Sequence, residues 1–172
     1  MDKLRTTLLP HQERVVQKIQ KQPGLVVAHG LGSGKTLSSI AAAIRLKPDH
    51  TQVLVPASLR ANYQKEIGKH VSGTPPIQIG SLQHAALKGK PIDADLLVVD
   101  EAHRGRNPQS KTYQMIEGSR AKKRLLLTAS PTYNRPSDVA ALVNMAAGGR
   151  VMPMGSAFDK KHIAKPATRG TP

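Results

Sequence analysis

The sequence predicts an α/β fold, a parallel sheet with helices on both faces, and three observations carry that prediction. The short runs Leu25 to Ala28, Val53 to Val55, Asp95 to Val99 and Leu125 to Thr128 are almost wholly apolar. They lack the polar alternation of a half-exposed strand, as strands buried on both faces do. Stretches with helical spacing or helix-start residues separate these runs, which is the order of a parallel sheet with crossover helices. Finally, the chemically unusual residues stand just past the carboxyl ends of the runs, where open α/β sheets bind ligands. At 172 residues the chain has room for one domain with a full core.

Taken in order, Pro10 suits the first turn of a helix in which Val15, Val16 and Ile19 recur at helical spacing. Pro23-Gly24 breaks it, and the strand Leu25 to Ala28 leads through a glycine-rich turn into an Ala-rich helix that ends near Pro48. After the strand Val53 to Val55, Pro56-Ala57-Ser58 turns into a helix through about Gly68, with Ser58 as its cap. Pro75-Pro76 precedes a weaker strand, Ile77 to Ile79, and Ser81 caps a helix through Leu87. Asp95 to Val99 is the clearest strand, Gln109 to Glu117 reads as helix, and Leu125 to Thr128 is a further buried strand. Arg135-Pro136-Ser137-Asp138 opens a last helix that closes by Gly148-Gly149. The expected division is a domain over residues 1–148 and a basic Pro/Gly-rich extension over 149–172.

Lys and Arg number 26 against 11 Asp and Glu, a formal charge of +15 that favours a polyanionic partner. The absence of cysteine excludes disulfides, zinc fingers and thiol catalysis, and permits a reducing compartment. The seven histidines form no metal-type pair. No apolar run approaches the ~20 residues of a membrane span, and the N-terminus lacks the apolar core of a signal peptide. With three Tyr and one Phe, base stacking is a poor main grip on nucleic acid, so backbone contact is expected. Basic residues group at Arg60, Lys65 and Lys69, at Arg104, Arg106 and Lys111, and from Lys160 to Arg169. Lys122-Lys123-Arg124, before a buried strand and away from the active edge, reads as surface charge.

The stretch Ala28-His29-Gly30-Leu31-Gly32-Ser33-Gly34-Lys35-Thr36, between strand and helix, reads as a phosphate-binding loop. Backbone N–H groups around Gly32, Ser33 and Gly34 would face an anion, aided by the helix N-terminus. Lys35 would reach the β and γ phosphates of a nucleoside triphosphate, and the Thr36 hydroxyl would meet a magnesium ion. His29 stands where the general pattern has its first glycine. Asp100, at a strand end, suits the carboxylate that holds that metal opposite Thr36, and Glu101 the group that activates water.

These residues fall in five ordered segments that resemble the first RecA-like lobe of a superfamily-two helicase of the Asp-Glu-Ala-His type, closest to the Swi/Snf-like ATP-dependent DNA translocases. The segments are Leu8 to Gln12, Ala28 to Thr36, Val53 to Glu66, Asp100 to Asn107, and Leu125 to Pro131 with Asn134. Thr128-Ala129-Ser130-Pro131 replaces that family's usual Thr-Gly-Thr-Pro. The resemblance implies a RecA-like three-layer sandwich that binds ATP and Mg2+, with Gln12 reading adenine. It further implies that the segment holding Ser58, Arg60 and Lys65 touches the phosphate backbone of duplex DNA. His103 would link the triphosphate site to Thr128 or Ser130, which couple hydrolysis to movement. The family's ATP site is completed by a second RecA-like lobe carrying arginine fingers, worth ~10³ to 10⁵ in rate in related hydrolases, so weak turnover is expected without it. The rival expectation is a non-catalytic module that docks on DNA or on a partner ATPase. Either places the chain inside a cell, in cytoplasm or nucleoid, or in the host cytoplasm for a viral source.

Overall fold

The computed structural model describes residues 3–28, 34–128, 136–148 and 163–164. Its strands are β1 (Lys3–Leu4), β2 (Gly24–Ala28), β3 (Thr51–Val55), β4 (Val71–Ser72), β5 (Ile77–Ser81), β6 (Leu96–Val99), β7 (Lys123–Thr128) and β8 (Ile163–Ala164). Its helices are α1 (Pro10–Lys21), α2 (Lys35–Arg45), α3 (Arg60–His70), α4 (Leu82–Lys88), α5 (Lys111–Glu117) and α6 (Pro136–Ala147). The main sheet runs β5-β3-β6-β7-β2, with the two-residue β8 beside β2, and every pairing in it is parallel. β1 and β4 form a separate antiparallel pair that the sequence pattern did not announce.

Alternation along each strand divides the core in two. Leu25, Val27, Val53, Val55, Val98, Leu125 and Leu127 face α1, α2 and α3 through Val15, Ile19, Ile40, Tyr63 and Ile67. Val26, Leu54, Leu97, Val99 and Leu126 face α4, α5 and α6 through Leu82, Ile116, Leu142 and Met145. Each fully buried Leu, Ile or Val contributes about 1.5–3 kcal/mol over an exposed one, so both faces are needed and the three-layer sandwich is the result. Gly24 marks how closely the layers approach, since a Cβ there would overlap the backbone of Ala146 in α6.

Helix ends follow local chemistry. Pro10 occupies the first position of α1, and Ser81 and Ser110 accept the N–H groups of His84 and Tyr113 as caps of α4 and α5. Ser58 is not a cap. Pro56 is extended and leads into a 3₁₀ turn, Ala57–Leu59, closed by Leu59 N–H donating to the Pro56 carbonyl at 2.8 Å. That turn moves the helix start to Arg60 and leaves Ser58 exposed.

The largest departure from expectation is at Lys123 and Arg124, which are not surface charge. The Lys123 ammonium donates to the carbonyls of Ile19, Gln20 and Gln22 at 2.7, 3.3 and 3.1 Å. Its three donors are thereby directed at orphan acceptors where α1 ends. Arg124 is 7% exposed, and its guanidinium donates to the Ser119 hydroxyl at 3.0 Å and the Ser119 carbonyl at 2.6 Å. Burial pushes its pKa down, against the nearby charge of Glu117, which raises it. Parallel strand geometry placed these side chains against segments that precede them by up to about a hundred residues in sequence, where a local charge pattern carries no information.

Candidate functional site

β7 lies between β2 and β6, with Ala28 in register with Thr128 and Leu126 with Val99. The end of the phosphate-loop strand, Thr128, and the acid pair after β6 therefore meet along one edge of the sheet. Lys35 opens α2 from one side, and its ammonium contacts Asp100 Oδ1 at 2.7 Å, the two side chains being 17% and 6% exposed. Asp100 Oδ1 also accepts the Glu101 backbone N–H at 2.9 Å, which leaves Oδ2 without a hydrogen bond among the described residues. Thr36 follows Lys35 in the same helical turn, half-buried, with its hydroxyl unbonded among the described residues.

Glu101 adopts a left-handed backbone, φ 55° and ψ 40°, a conformation that side-chain-bearing residues adopt at a cost. The turn it makes, Ala102–Gly105, returns the chain so that His103 Nε2 lies 3.1 Å from Glu101 Oε2 and Nδ1 lies 2.9 Å from Thr128 Oγ1. Burial lowers the His103 pKa, Glu101 opposes that shift, Arg106 and Arg104 reinforce it, and Asp100 opposes it again. A neutral imidazole has one donor, and an ionised carboxylate only accepts. Nε2 therefore carries the proton toward Glu101, and the Thr128 hydroxyl donates to Nδ1, an assignment reached by donor counting.

Gln12, 3% exposed, is committed at both ends of its amide. Its Oε1 accepts the Leu9 N–H at 2.8 Å and its Nε2 donates to the Gly34 carbonyl at 3.3 Å. Gly34 has φ 76°, a left-handed backbone that favours glycine, and a Cβ there would press on the end of that amide. Gln12 thus fastens Gly34, where α2 begins, to the start of α1. Gly32, Ser33 and His29 of that loop, and Ser130, Pro131 and Asn134 beyond β7, lie outside the described residues.

Ser58, Arg60 and Lys65 lie on or beside the first turns of α3, exposed, their side chains without hydrogen bond or ion pair among the described residues. Sequence reasoning gave no weight to Ser39, which is buried with Tyr63 beneath this surface; its Oγ lies 2.6 Å from the Tyr63 hydroxyl and 2.7 Å from the Thr36 carbonyl. A serine one turn inside an Ala-rich helix was the only signal available.

The family model described as the SNF2-related domain matches residues 79–168. Among curated proteins, the chain is 31% identical over 170 residues to the uncharacterized ATP-dependent helicase YqhH of Bacillus subtilis (strain 168), covering 84% of this chain and 30% of that protein. It is 26% identical over 219 residues to the human DNA repair and recombination protein RAD54-like, covering 97% of this chain and 29% of that protein. The chain thus spans less than a third of the length of these relatives. Among solved structures, the Sulfolobus solfataricus SWI2/SNF2 ATPase core in complex with dsDNA superposes with a TM-score of 0.74 at 21% identity, covering 85% of this chain and 37% of that one. The α/β sheet described above is shared with that core.

Proposed function

The chain belongs to the SNF2-related domain family, and from that premise we propose that it is the ATP-binding lobe of a nucleic-acid-stimulated ATPase that moves on duplex DNA. The observation that carries this reading is the 2.7 Å contact between Lys35 and Asp100. It joins the lysine of a phosphate loop to the acid of the Asp100-Glu101-Ala102-His103 box across an intervening strand. Each charge neutralises the other at a partly buried edge. Triphosphate oxygens offer Lys35 a stronger partner, and its ammonium then turns from Asp100 to the β and γ phosphates.

The donor set fits magnesium. Asp100 Oδ2 and the Thr36 hydroxyl carry no hydrogen bond among the described residues, and both are oxygens of the kind a hard cation takes. Thr36 and Asp100 would hold the ion, which when bound neutralises phosphate charge. Glu101 orients the attacking water and accepts its proton as oxygen bonds to the γ phosphorus and the bond to the ADP oxygen breaks. His103 holds the Glu101 carboxylate and ties it to Thr128. Gln12 would read adenine, and its contacts with Leu9 and Gly34 tie that segment to the start of α2. Ser58, Arg60 and Lys65 supply the DNA phosphate contacts, a sequence-independent grip suited to a chain of this charge. Turnover by this lobe alone is weak, because transition-state charge is neutralised by an arginine from a second RecA-like lobe, in the same or another chain.

Binding of a fluorescent ATP analogue with magnesium to the chain and to Lys35→Ala tests this reading. The variant should lose at least about tenfold in affinity, a charge-assisted contact being worth ~1.5–3 kcal/mol. Equal affinity in both proteins would sink it. DNA-stimulated phosphate release, with and without a second lobe, separates the ATPase from a docking module.

A further inference from the structure

We infer that Tyr63 and Ser39 are positioning residues that couple nucleotide occupancy at α2 to DNA contact at α3, and this rests on the ATP-binding reading above. The geometry fixes one direction of hydrogen bonding. Ser39 Oγ donates to the Thr36 carbonyl at 2.7 Å, which uses its single proton. The Tyr63 hydroxyl, 2.6 Å from the same oxygen, is therefore the donor to Ser39. The result is one relay, Tyr63 to Ser39 to the backbone of Thr36, from the third residue after Arg60 to the residue next to Lys35.

Packing alone does not need this relay. The Tyr63 ring already sits in the core with Ile40, Val55 and Ile67, where a phenyl ring would serve as well. A buried hydroxyl adds a desolvation cost unless it is bonded, and among the described residues Ser39 is the only partner Tyr63 has. The bond thus fixes α3 against α2 at one azimuth, where apolar contact would allow sliding. Burial pushes the phenol above its ordinary range, the Ser39 hydrogen bond opposing that shift and the negative charge of Asp100 adding to it, so Tyr63 keeps its proton and stays a donor. Displacement of the first turn of α2 when Lys35 leaves Asp100 for phosphates moves the Thr36 carbonyl. Ser39 and Tyr63 follow, and the exposed turn bearing Arg60 and Lys65 tilts with them.

The test is linkage. The affinity of the whole chain for a short fluorescein-labelled DNA duplex is measured with and without a non-hydrolysable ATP analogue and magnesium, for wild type, Tyr63→Phe, Ser39→Ala and the double variant. Thermal melting runs alongside as the control for folding. Wild type should show a ratio of DNA affinities of about fivefold or more. Each single variant should bring that ratio close to one while keeping nucleotide affinity and DNA affinity in the absence of nucleotide within about twofold of wild type. The double variant should lose nothing further, since the two hydroxyls form one chain. Ser39→Ala tests the relay from its other end if Tyr63→Phe fails to fold. An unchanged ratio in both single variants overturns the inference, as does a ratio of one in wild type. A parallel fall in both affinities and in the melting temperature assigns the pair to packing and overturns it also. Wild type that binds no nucleotide instead brings down the ATP-binding reading itself.

Discussion

Two basic clusters in this protein look alike in sequence and differ in every physical respect. Lys123 and Arg124, at the amino end of β7, aim their charges at carbonyls and at Ser119, with Arg124 buried. Arg60 and Lys65, on the first turns of α3, are exposed, and their side chains bond to nothing among the described residues. Charge at the rear of the sheet serves the fold, and charge at the front is, on the reading proposed above, left for DNA. Mutation can break this contrast from either side. The largest effect belongs to Arg124→Ala, which removes a buried guanidinium and strands the Ser119 carbonyl. It should lower unfolding free energy by about 3 kcal/mol in urea titration, and a loss under about 1 kcal/mol would place Arg124 with the surface charges.

Lys123→Met comes next. It keeps the apolar stem and deletes the three bonds to the end of α1, so a loss of about 1–2 kcal/mol is expected, read by the same titration. Amide exchange should rise first in the last turn of α1, and nucleotide affinity should stay put. A drop in nucleotide affinity equal to that of Lys35→Ala would show that the rear ties are part of the site, and the contrast would fall.

These rear ties also show what the sequence could carry. The buried strands were legible because double-sided burial writes an unbroken apolar run, and Ser81 was legible as a cap because it acts on a group three residues away. Lys35 and Asp100, picked out from separate segments because each follows a strand end, do meet in the structure. Lys123 reaches back to Ile19, and Tyr63 meets Ser39 only after two helices dock on the sheet. Such partners are set by register and packing, which a window of neighbouring residues does not encode. Ser58 was misread for a related reason: three residues of 3₁₀ turn moved the helix start, and a cap works only at one position.

The two edges should also differ in acid. Burial depresses the His103 pKa, so the folded state binds its proton less readily than the unfolded chain, whose histidine titrates at about 6.5. As pH falls through that value the unfolded state gains the proton first, and stability supplied by neutral His103 declines from there downward. The rear cluster, Lys123 and Arg124 with Ser119, holds no histidine. Melting temperature from pH 7.5 to pH 5 should therefore fall more steeply in wild type than in His103→Gln, a substitution that keeps a hydrogen-bonding side chain without the titration. Identical slopes would show that the Thr128 and Glu101 contacts do not depend on the neutral imidazole.

The smallest effect on stability should come from the front, and there the absence of an effect is the informative outcome. Arg60→Ala and Lys65→Ala remove side chains that hold no partner among the described residues, so unfolding free energy should change by under about 0.5 kcal/mol. Their cost should appear only with DNA. Each phosphate neutralised releases counterion, so the slope of log affinity against log salt should flatten by about one for each residue removed. Lys123→Met should leave that slope as it was, because its ammonium is already saturated by carbonyls of the chain. If instead Lys65→Ala leaves the slope intact while Lys123→Met changes it, exposure has misidentified the DNA-facing charge, and the grip lies at the opposite edge of the sheet.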